Sequence, residues 1–308
     1  MYDNLFSERG LSFDRLRVLV EVHDAGGIAK AAPGDPVRQS QYSRQLRELS
    51  EFFGTEVARR QGRQLKLTAQ GIELAELVRA QLHSLQDFRA TCRSETVDYT
   101  IAAGDSLIHW LVIPRLGTVL RKAPAIRFAT CNLRTNEIVQ QLKDGRVDFG
   151  VIRKDALLAQ LKSAPLGTLS FTAVVPKALV ATRSYPTIRD LFSLLPFAAH
   201  TSDGQFTQKL RDIAKEMKTD LRPTLICQSF PQALTAVQSG GFGAVLPALA
   251  LKDLEPGSYV ELQADALSGL SRGLVLAWNS RLPRIRPSAK KVIEHLQTEL
   301  RFQHPSKS

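Results

Sequence analysis

The 308-residue sequence predicts an N-terminal all-α domain that carries a small β hairpin, then one long helix, then a C-terminal α/β domain of two lobes. Apolar residues recur at helical spacing up to about residue 91, and short strand-like runs alternate with helices after residue 98. A continuous apolar stripe joins these two regions. We expect the first domain over 1–69, the long helix over 70–95 and the second domain over 96–308, with lobes of about 96–163 plus 270–308 and 164–269.

Composition is typical of a globular protein, with 44% hydrophobic and 23% charged residues. The three cysteines, Cys92, Cys131 and Cys227, are an odd number without a C-x-x-C pair, which argues against a disulfide framework and a cysteine-rich zinc site. The most apolar stretch is about half of the ~20 residues that cross a bilayer. The first nine residues lack an apolar signal core. We therefore expect a cytoplasmic protein without membrane contact.

The formal net charge is +11, which favours a polyanionic partner. Much of the excess lies after residue 271, where eight bases face two acids. The total charge therefore does not by itself locate a binding site. This tail predicts either a second DNA or subunit contact or, more simply, a solvated helix face; its central bases are Arg281, Arg284, Arg286, Lys290 and Lys291.

The first domain begins with three helices. One helix starts after Ser12, a good N-cap residue, and stops at Gly26-Gly27. A short helical segment, Ile28 to Ala32, meets Pro33-Gly34-Asp35-Pro36. A third helix is expected from about Arg38 to Phe52, with one buried face formed by Tyr42, Leu46, Leu49 and Phe53.

Two short strands, Val57–Arg60 and Gln64–Leu67, follow as a hairpin with glycine in its turn, which we name the wing (residues 57–67). Helices followed by a basic hairpin are the plan of a winged helix-turn-helix, in which a helix enters the major groove and the wing meets phosphates. Residues 38–66 hold seven bases and three acids, and on charge alone a solvated face would explain them. The order of elements favours duplex DNA, contacted by Arg38, Gln39, Ser40, Gln41, Ser43, Arg44, Arg47, Arg59, Arg60, Arg63 and Lys66.

A helical pattern then extends from Gly71 to about Arg93 with one apolar stripe: Leu74, Leu77, Val78, Leu82, Leu85 and Phe88. A stripe of this kind often packs on its own domain. A helix of ~23 residues spans ~35 Å, however, and would overhang so small a domain. A partner helix is the better cover, so we expect a homodimer or homotetramer.

After residue 98 the strands and helices alternate, which predicts a largely parallel sheet with helices on both faces. The predicted strands are Tyr99–Gly104, Ile126–Cys131, Val147–Ile152, Phe197–Ala199, Leu225–Gln228, Gly243–Leu246 and Gly273–Trp278. Helices are expected from Asp105 to about Arg121 and over Asn136–Lys143, Phe206–Lys218, Pro231–Ser239 and Pro287–Leu300.

Several segments resemble the LysR-type transcriptional regulators: Ala31-Ala32, Val37–Leu49, Phe53–Arg60, Gly62–Gly71, Ile101–Ser106, Leu142–Val151 and Val237–Pro247. The resemblance covers essentially the whole chain and implies a C-terminal effector-binding domain similar in fold to periplasmic solute-binding proteins. It implies that Gln39 and Ser43 lie on the recognition helix surface, that Arg44 meets phosphates, and that the wing lies near the minor groove. It also implies pairing through the long helix, which places two recognition helices on an interrupted palindrome.

The sequence departs from the family pattern at two places. Pro33–Pro36 stands where the family's second helix has good helix formers, and Arg38 and Ser40 replace the usual Ser and Pro. The DNA sequence preference therefore does not transfer. The first departure also keeps a rival open, a cytoplasmic small-molecule-binding or enzymatic α/β protein whose degenerate N-terminal domain no longer binds DNA.

Ligands of such sheets bind at the carboxyl ends of strands, in the crevice between lobes. This rule selects Gly104, Asp105, Ser106, Ile152, Arg153, Thr201, Ser202 and Phe230 as effector-binding candidates. Free N–H groups at helix starts and the charge of Arg153 would favour an anion, although a capping or salt-bridge role competes for each residue. Neither a metal nor a cofactor is predicted.

The sequence gives weaker support to two other chemistries, nucleophilic catalysis and redox sensing. Gly269–Gly273 matches the G-x-S-x-G nucleophile elbow but precedes a strand, so it is expected to be a loop and the chain is not expected to be an enzyme. A redox sensor built on Cys131 and Cys227 is conceivable. Both cysteines lie in strand-like runs, where a buried free thiol is the commoner case.

Overall fold

The computed structural model describes residues 3–7, 9–62, 64–180, 186–200, 205–262 and 265–302. It divides into two units. Residues 1–95 and Arg284–Arg286 form the N-terminal unit, and residues 96–283 and 287–308 form the C-terminal unit. Among the described residues, no helix combines the length and the apolar character that spanning a membrane requires.

The N-terminal unit contains five helices and one hairpin among its described residues. Its elements are α1 (Asp3–Phe6), α2 (Phe13–Ala25), α3 (Ile28–Ala31), α4 (Pro36–Phe53), β1 (Ala58–Gln61), β2 (Gln64–Leu67) and α5 (Ala69–Cys92). The Ser12 side chain accepts a hydrogen bond from the Arg15 N–H, and Gly26 adopts the left-handed conformation that ends α2. The expected helix order and basic hairpin are therefore confirmed.

The Pro33–Pro36 segment starts α4 instead of interrupting a helix. The Asp35 carboxylate caps α4 by accepting the Arg38 N–H at 2.9 Å, and Pro36 takes the first helical position, where its missing N–H leaves no bond unmade. The expected start at Arg38 was therefore two residues late. The preceding α3 is a single turn, as the sequence predicts.

The core of this unit forms between α2, α3, α4, the hairpin and the start of α5. Its buried members are Val18, Leu19, Val22, Ile28, Ala32, Tyr42, Leu46, Leu49, Val57 and Ala75. One expected member is wrong: Phe53 is 38% exposed, since α4 runs past the core and the ring packs edge-on against Phe52 at 5.0 Å.

The α5 helix is fixed to this core at two points. At its start, Thr68 caps the helix by accepting the Gly71 N–H at 3.0 Å and donates its hydroxyl to the Glu56 carbonyl. Further along, the buried guanidinium of Arg79 donates to both carboxylate oxygens of Asp24, at 2.6 and 3.1 Å. The first half of α5 is thus part of the N-terminal unit's core.

The basic tail contains one buried residue, contrary to the expected solvated helix face. Arg286 is 4% exposed, and its guanidinium donates to the carboxylate of Asp87 on α5 at 2.6 and 2.8 Å. Two parallel N–H···O bonds to one carboxylate require the planar guanidinium group, which is why arginine is favoured over lysine in a buried ion pair of this kind. The other four tail bases are exposed.

The C-terminal unit contains two five-stranded sheets. The strands are β3 (Val97–Ala103), β4 (Ile126–Asn132), β5 (Phe149–Arg153), β6 (Leu161–Leu169), β7 (Phe171–Pro176), β8 (Phe197–His200), β9 (Leu225–Cys227), β10 (Gly243–Pro247), β11 (Tyr259–Leu262) and β12 (Arg272–Asn279). The helices are α6 (Asp105–Leu107), α7 (Ile113–Lys122), α8 (Thr135–Lys143), α9 (Lys177–Val180), α10 (Ile188–Ser193), α11 (Gln205–Glu216), α12 (Phe230–Gln238), α13 (Leu282–Ile285) and α14 (Ala289–Leu300).

Both sheets are mixed, so the expectation of a largely parallel sheet is wrong. The strand orders are β4-β3-β5-β12-β6 and β11-β7-β10-β8-β9. In each sheet three neighbouring strands pair in parallel, and one strand, β12 in the first sheet and β7 in the second, is antiparallel to both of its neighbours. The chain passes from the first sheet to the second at Ser170 and returns at Ser271. The strand that follows each passage, first β7 and then β12, is antiparallel to its neighbours. The predicted architecture of an α/β domain with two lobes is confirmed.

The segment after β3 is helical throughout but not uniform. A π-helical turn, Ile108–Val112, separates α6 from α7, where one continuous α-helix was expected. Pro114 lies directly after this turn and lacks the N–H that a regular helix uses. The turn buries Trp110, whose indole N–H donates to Asp253 at 2.7 Å.

The Gly71 position gives a test of the packing between α5 and the hairpin. A Cβ at Gly71 would lie 1.9 Å from the Val57 carbonyl oxygen, so we expect Gly71→Ala to destabilise the protein by about 1–3 kcal/mol. Urea unfolding followed by circular dichroism measures the change. The matched control is Gly117→Ala in the middle of α7, where the nearest atom is 3.8 Å away and alanine should stabilise by up to about 1 kcal/mol. Equal effects of the two changes would contradict the packing described here.

Candidate nucleic-acid interface and ligand cleft

The polar face of α4 is presented to solvent along the whole helix. The ring of Tyr42 and the side chains of Leu46 and Leu49 are buried, and the residues between them point away from the core. Exposed on α4 are Arg38, Ser40, Gln41, Ser43, Arg44 and Arg47. Gln39 is held differently, because its amide N–H₂ donates to the Ala32 carbonyl at 2.7 Å and ties the side chain to the preceding turn.

Glu48 organises the middle of this face. Its carboxylate accepts from the Arg15 Nε at 2.5 Å and from the Arg44 Nε at 3.0 Å, so one acid fixes two bases from different helices. The hydrogen bond from Arg15, followed by that from Arg44, lowers the pKa of Glu48 below its ordinary 4.5. The Arg44 side chain remains 73% exposed, so its remaining N–H groups face solvent.

The wing sets two cations side by side. Arg59 and Lys66 are directly opposite each other in the antiparallel pair, so both side chains project from the same face. Leu65 and Leu67 pack on the core, which fixes this register. Like charges directly opposite are mutually destabilising, and within the described part of the unit neither cation pairs with a carboxylate. Arg60 is also exposed, and the predicted Arg63 lies outside the described residues.

The predicted stripe on α5 divides into a buried and an exposed part. Val78 is 6% exposed within the N-terminal unit, and Leu74 and Leu82 are half-buried. Leu77, Leu85 and Phe88 are 56%, 52% and 69% exposed, which leaves three large apolar side chains on one side of a long helix. The sequence pattern identified the stripe but not this division.

A cleft of about 810 Å³ lies in the C-terminal unit, where the end of β5, the start of α11 and the start of β12 meet. Four of its lining residues are cations and one is an acid; we name it the cationic cleft. The lining residues are Arg153, Lys154, Asp155, Gln205, Gln208, Lys209, Ser271, Arg272 and Gly273.

Arg153 and Arg272 are the two guanidinium groups of the cationic cleft. The side chain of Arg153 donates to the Gln205 amide oxygen, and its Nε lies 3.5 Å from Asp155. The Nη2 of Arg272 is buried and has no hydrogen-bond partner among the described residues. Burial, and then repulsion by Arg153, lower the pKa of Arg272. The cleft therefore holds an incompletely compensated positive charge.

The structure brings together only part of the predicted effector site. Gly104, Asp105 and Ser106 lie half-exposed at the start of α6, directly after β3. Ile152 is 1% exposed in the core beneath the first sheet, so its side chain is packed away from solvent.

The remaining candidates are placed as follows. The Phe230 ring stacks on His200 at 4.6 Å and contacts the buried Phe206. Thr201 and Ser202 lie outside the described residues. Of the six candidates within the described residues, Arg153 is the one that lines the cationic cleft.

Sequence reasoning missed most of the cleft's cations. Lys209 is on α11, and its ammonium donates to the Gly269 carbonyl at 3.0 Å, while Arg272 begins β12. One sequence feature does point to the cleft: Arg272 belongs to the Gly269–Gly273 segment, which was interpreted only as a possible nucleophile motif. The expected loop is wrong, because a 3₁₀ helix, Asp265–Leu270, ends inside this segment and β12 begins at Arg272. The segment does lead into a strand, as predicted, and Ser271 lines the cleft.

Two of the three cysteines, Cys131 and Cys227, are packed within the sheets, and the third is exposed. Cys227 is 4% exposed in the second sheet, and burial raises its pKa, so the reactive thiolate is disfavoured. Cys131 is half-buried on β4 in the other sheet, and Cys92 is exposed at the end of α5. Within the described part of the chain, His, Cys, Asp and Glu side chains form no group suited to hold a metal ion.

Comparison with known proteins identifies both halves of the chain. The family described as "LysR substrate binding domain" matches residues 95–301, and "Bacterial regulatory helix-turn-helix protein, lysR family" matches residues 13–72. A "Probable hydrogen peroxide-inducible genes activator" of Mycobacterium avium is 28% identical over 243 residues, which are 75% of this chain and 76% of that protein.

Two solved structures show the same fold at low identity. ArgP from Mycobacterium tuberculosis has a TM-score of 0.68 at 18% identity and covers 96% of this chain and 100% of its own. Full-length CbnR, in a structure titled as a complex with its target DNA, has a TM-score of 0.57 at 18% identity and covers 94% and 100%.

The lowered pKa of Glu48 leads to a test of its two ion pairs. A depressed pKa stabilises the folded state above the ordinary pKa of 4.5, and this stabilisation is lost as the pH falls through the folded value. We expect Glu48→Gln to be less stable than the wild type near pH 7 and the difference to shrink below about pH 4.5. Urea unfolding at a series of pH values measures it. The control Glu51→Gln, whose exposed carboxylate is 3.7 Å from Arg47, should change stability little at any pH. A constant difference for Glu48→Gln would contradict the assignment.

Proposed function

The chain belongs to the LysR family of transcriptional regulators, and we propose that α4 and the wing bind duplex DNA while the cationic cleft binds a small anionic effector. In this proposal residues 1–69 contact DNA, residues 70–95 pair two chains and residues 96–308 respond to the effector. The observation that carries the DNA part is the Arg59–Lys66 pair on the exposed face of the wing.

Physical chemistry supports phosphate as the partner of the wing. Two cations that repel each other on one face of a hairpin lower their free energy when an anion lies between them, and a DNA backbone supplies a row of phosphates. The wing's remaining described base, Arg60, is also exposed, but it pairs with Leu65 and projects from the other face of the hairpin. Phosphate contacts of this kind set affinity and register but carry little sequence information.

The recognition helix supplies the base contacts in the proposed complex. Its exposed polar residues fit the major groove, whose base edges offer donors and acceptors to such side chains. The proposed base contacts are Ser40, Gln41 and Ser43, with Arg44 and Arg47 at phosphates. The DNA complex of CbnR is a property of that relative, and it supports the same use of the fold here.

Pairing of two chains through α5 completes the DNA part. Leu77, Leu85 and Phe88 are exposed on this helix, and a second copy of the helix would remove them from water. A pair of chains presents two recognition helices, which suits an interrupted palindrome. In a bacterial regulator this takes place in the cytoplasm, with the chromosome, and requires no catalytic step.

The cationic cleft favours an anion because its positive charges outnumber its carboxylate. The buried Nη2 of Arg272 needs an acceptor, and an anionic oxygen at this point would satisfy it and reduce the repulsion from Arg153. The name of the M. avium relative refers to hydrogen peroxide, but at Cys227 of this chain burial raises the thiol pKa and so disfavours the reactive thiolate.

The DNA proposal is tested with Arg59→Ala and Lys66→Ala. The probe is a duplex of the region upstream of the chain's own gene, measured by gel shift between about 50 and 200 mM salt. We expect each change to weaken binding about three- to tenfold and to reduce the steepness of the salt dependence by about one phosphate contact.

A matched control separates interface contacts from simple loss of charge. Arg211 is exposed on α11 in the C-terminal unit, and Arg211→Ala should leave binding unchanged. Absent binding by the wild type, or equal losses for all three variants, would favour the rival function in which the N-terminal domain no longer binds DNA.

The effector proposal is tested with Arg272→Met. Removing a half-buried, incompletely compensated charge should raise the melting temperature of the unliganded protein by about 2–4 °C. The same change should abolish the upward shift that a panel of small carboxylates, phosphate and sulfate produces in the wild type. Thermal unfolding with and without each anion measures both effects.

The control for this test is Lys218→Met, at a separate basic surface of the C-terminal unit. It should leave the anion-induced shift intact. Destabilisation of the unliganded protein by Arg272→Met, or an anion response that persists in it, would contradict the proposal.

A further inference from the structure

A chain of polar contacts links α2 to the first turn of α4. The Nε of Arg38 donates to the Tyr42 hydroxyl oxygen at 2.9 Å, and the Tyr42 hydroxyl donates to the Glu21 carboxylate. The Arg38 Nη2 also lies 3.6 Å from a Glu21 oxygen, and its guanidinium carbon is 5.2 Å from the centre of the Tyr42 ring. Three separate contacts therefore restrict one arginine side chain.

We propose that Tyr42 and Glu21 are positioning residues that hold Arg38 in one conformation for reading DNA, which makes Arg38 a determinant of sequence preference. This inference rests on the proposed DNA interface of α4. It concerns a position where the chain departs from the family pattern, since Arg38 replaces the usual serine, and the arrangement therefore belongs to this chain's own specificity.

The direction of the hydrogen bonds is fixed by their chemistry. An ionised carboxylate only accepts and a guanidinium only donates, so the single Tyr42 proton goes to Glu21 and a lone pair of the Tyr42 oxygen receives Arg38. The negative charge of Glu21 polarises this hydroxyl and strengthens its acceptance of the Arg38 bond. Burial raises the pKa of Tyr42, so the hydroxyl keeps the proton that the relay requires.

The contacts leave the outer edge of the guanidinium available. The Arg38 side chain is 50% exposed, and its Nε is the nitrogen that bonds Tyr42. The two terminal nitrogens form the fork that matches the O6 and N7 acceptors of guanine in the major groove. An arginine already held in place loses less conformational freedom on binding, which improves both affinity and discrimination.

A purely structural role explains the arrangement less well. The Tyr42 ring is 5% exposed and fills the core, and phenylalanine would fill the same space. The polar part lies at the surface, where Glu21 is 33% exposed and an ion pair adds little to stability. The part of the arrangement that the core does not need is the hydroxyl, and the hydroxyl acts on Arg38.

The experiment uses the full chain and duplexes that the wild type selects from a randomised pool. Tyr42→Phe should weaken binding to the selected duplex about three- to tenfold, with a smaller effect on a scrambled duplex. In an Arg38→Ala background, Tyr42→Phe should have no further effect, because the group that it positions is absent. A second selection with Tyr42→Phe should give a relaxed base preference at the positions that Arg38→Ala also relaxes.

Two further variants keep the test independent of folding. Glu21→Ala should reproduce the effect of Tyr42→Phe, and Arg17→Ala should not, although Arg17 pairs with the same Glu21 carboxylate at 3.1 Å. The unfolding midpoint of Tyr42→Phe should stay close to that of the wild type. A loss of affinity that is equal with and without Arg38 would show a structural role and overturn the inference.

The outcomes also separate this inference from the proposed DNA interface. If Arg59→Ala and Lys66→Ala weaken binding while Tyr42→Phe and Arg38→Ala change neither affinity nor preference, the positioning role is overturned and the interface stands. If the wild type selects no duplex at all, the interface and the positioning role are overturned together.

Discussion

The constraint on which the proposed function depends is the placing of like charges side by side with too few carboxylates to balance them. Several arginines of this chain end on an acid, such as Arg79 on Asp24 and Arg127 on Asp98. The wing and the cationic cleft depart from this pattern. Arg59 faces Lys66 across a hairpin, and Arg153 raises the free energy of the half-buried Arg272 cation. In the wing neither cation meets a carboxylate of the described residues, and in the cleft Asp155 is one acid among four cations, so an anion from another molecule would complete the balance in both places.

The apolar framework enforces these placements. In the wing, Leu65 and Leu67 pack on the core and fix a register that no single-residue slip can relieve, because a slip would turn both leucines to solvent. In the C-terminal unit, Arg272 is the first residue of a strand whose next residues are buried between β5 and β6. The free energy that holds the cations together therefore comes from burial of neighbouring apolar side chains.

Local signals predicted much of the fold and little of the cleft. Ser12, the glycines after α2 and the hairpin turn act within a few residues, so the helix order and the wing could be read directly. The start of α4 was missed because Asp35-Pro36 was taken as a break, although an acid followed by proline is also a helix start. Strands β6, β7 and β11 were missed as well, and their pairing makes both sheets mixed. Arg153, Lys209 and Arg272 come together through strand order, a long-range property that no local pattern contains.

Arg286, which is buried, and Arg272, which is half-buried, differ in whether the protein itself supplies acceptors for the guanidinium group. Arg286 is 4% exposed and both branches of its fork meet the Asp87 carboxylate, so its burial is compensated within the protein. Arg272 has a buried nitrogen without a partner among the described residues, and burial lowers its pKa. A half-buried and incompletely compensated cation lowers stability, so methionine at this position should give a more stable unliganded protein. Retaining the cation is consistent with a ligand that supplies the missing acceptor, and binding of that ligand to the folded state alone would then stabilise the protein in proportion to its concentration.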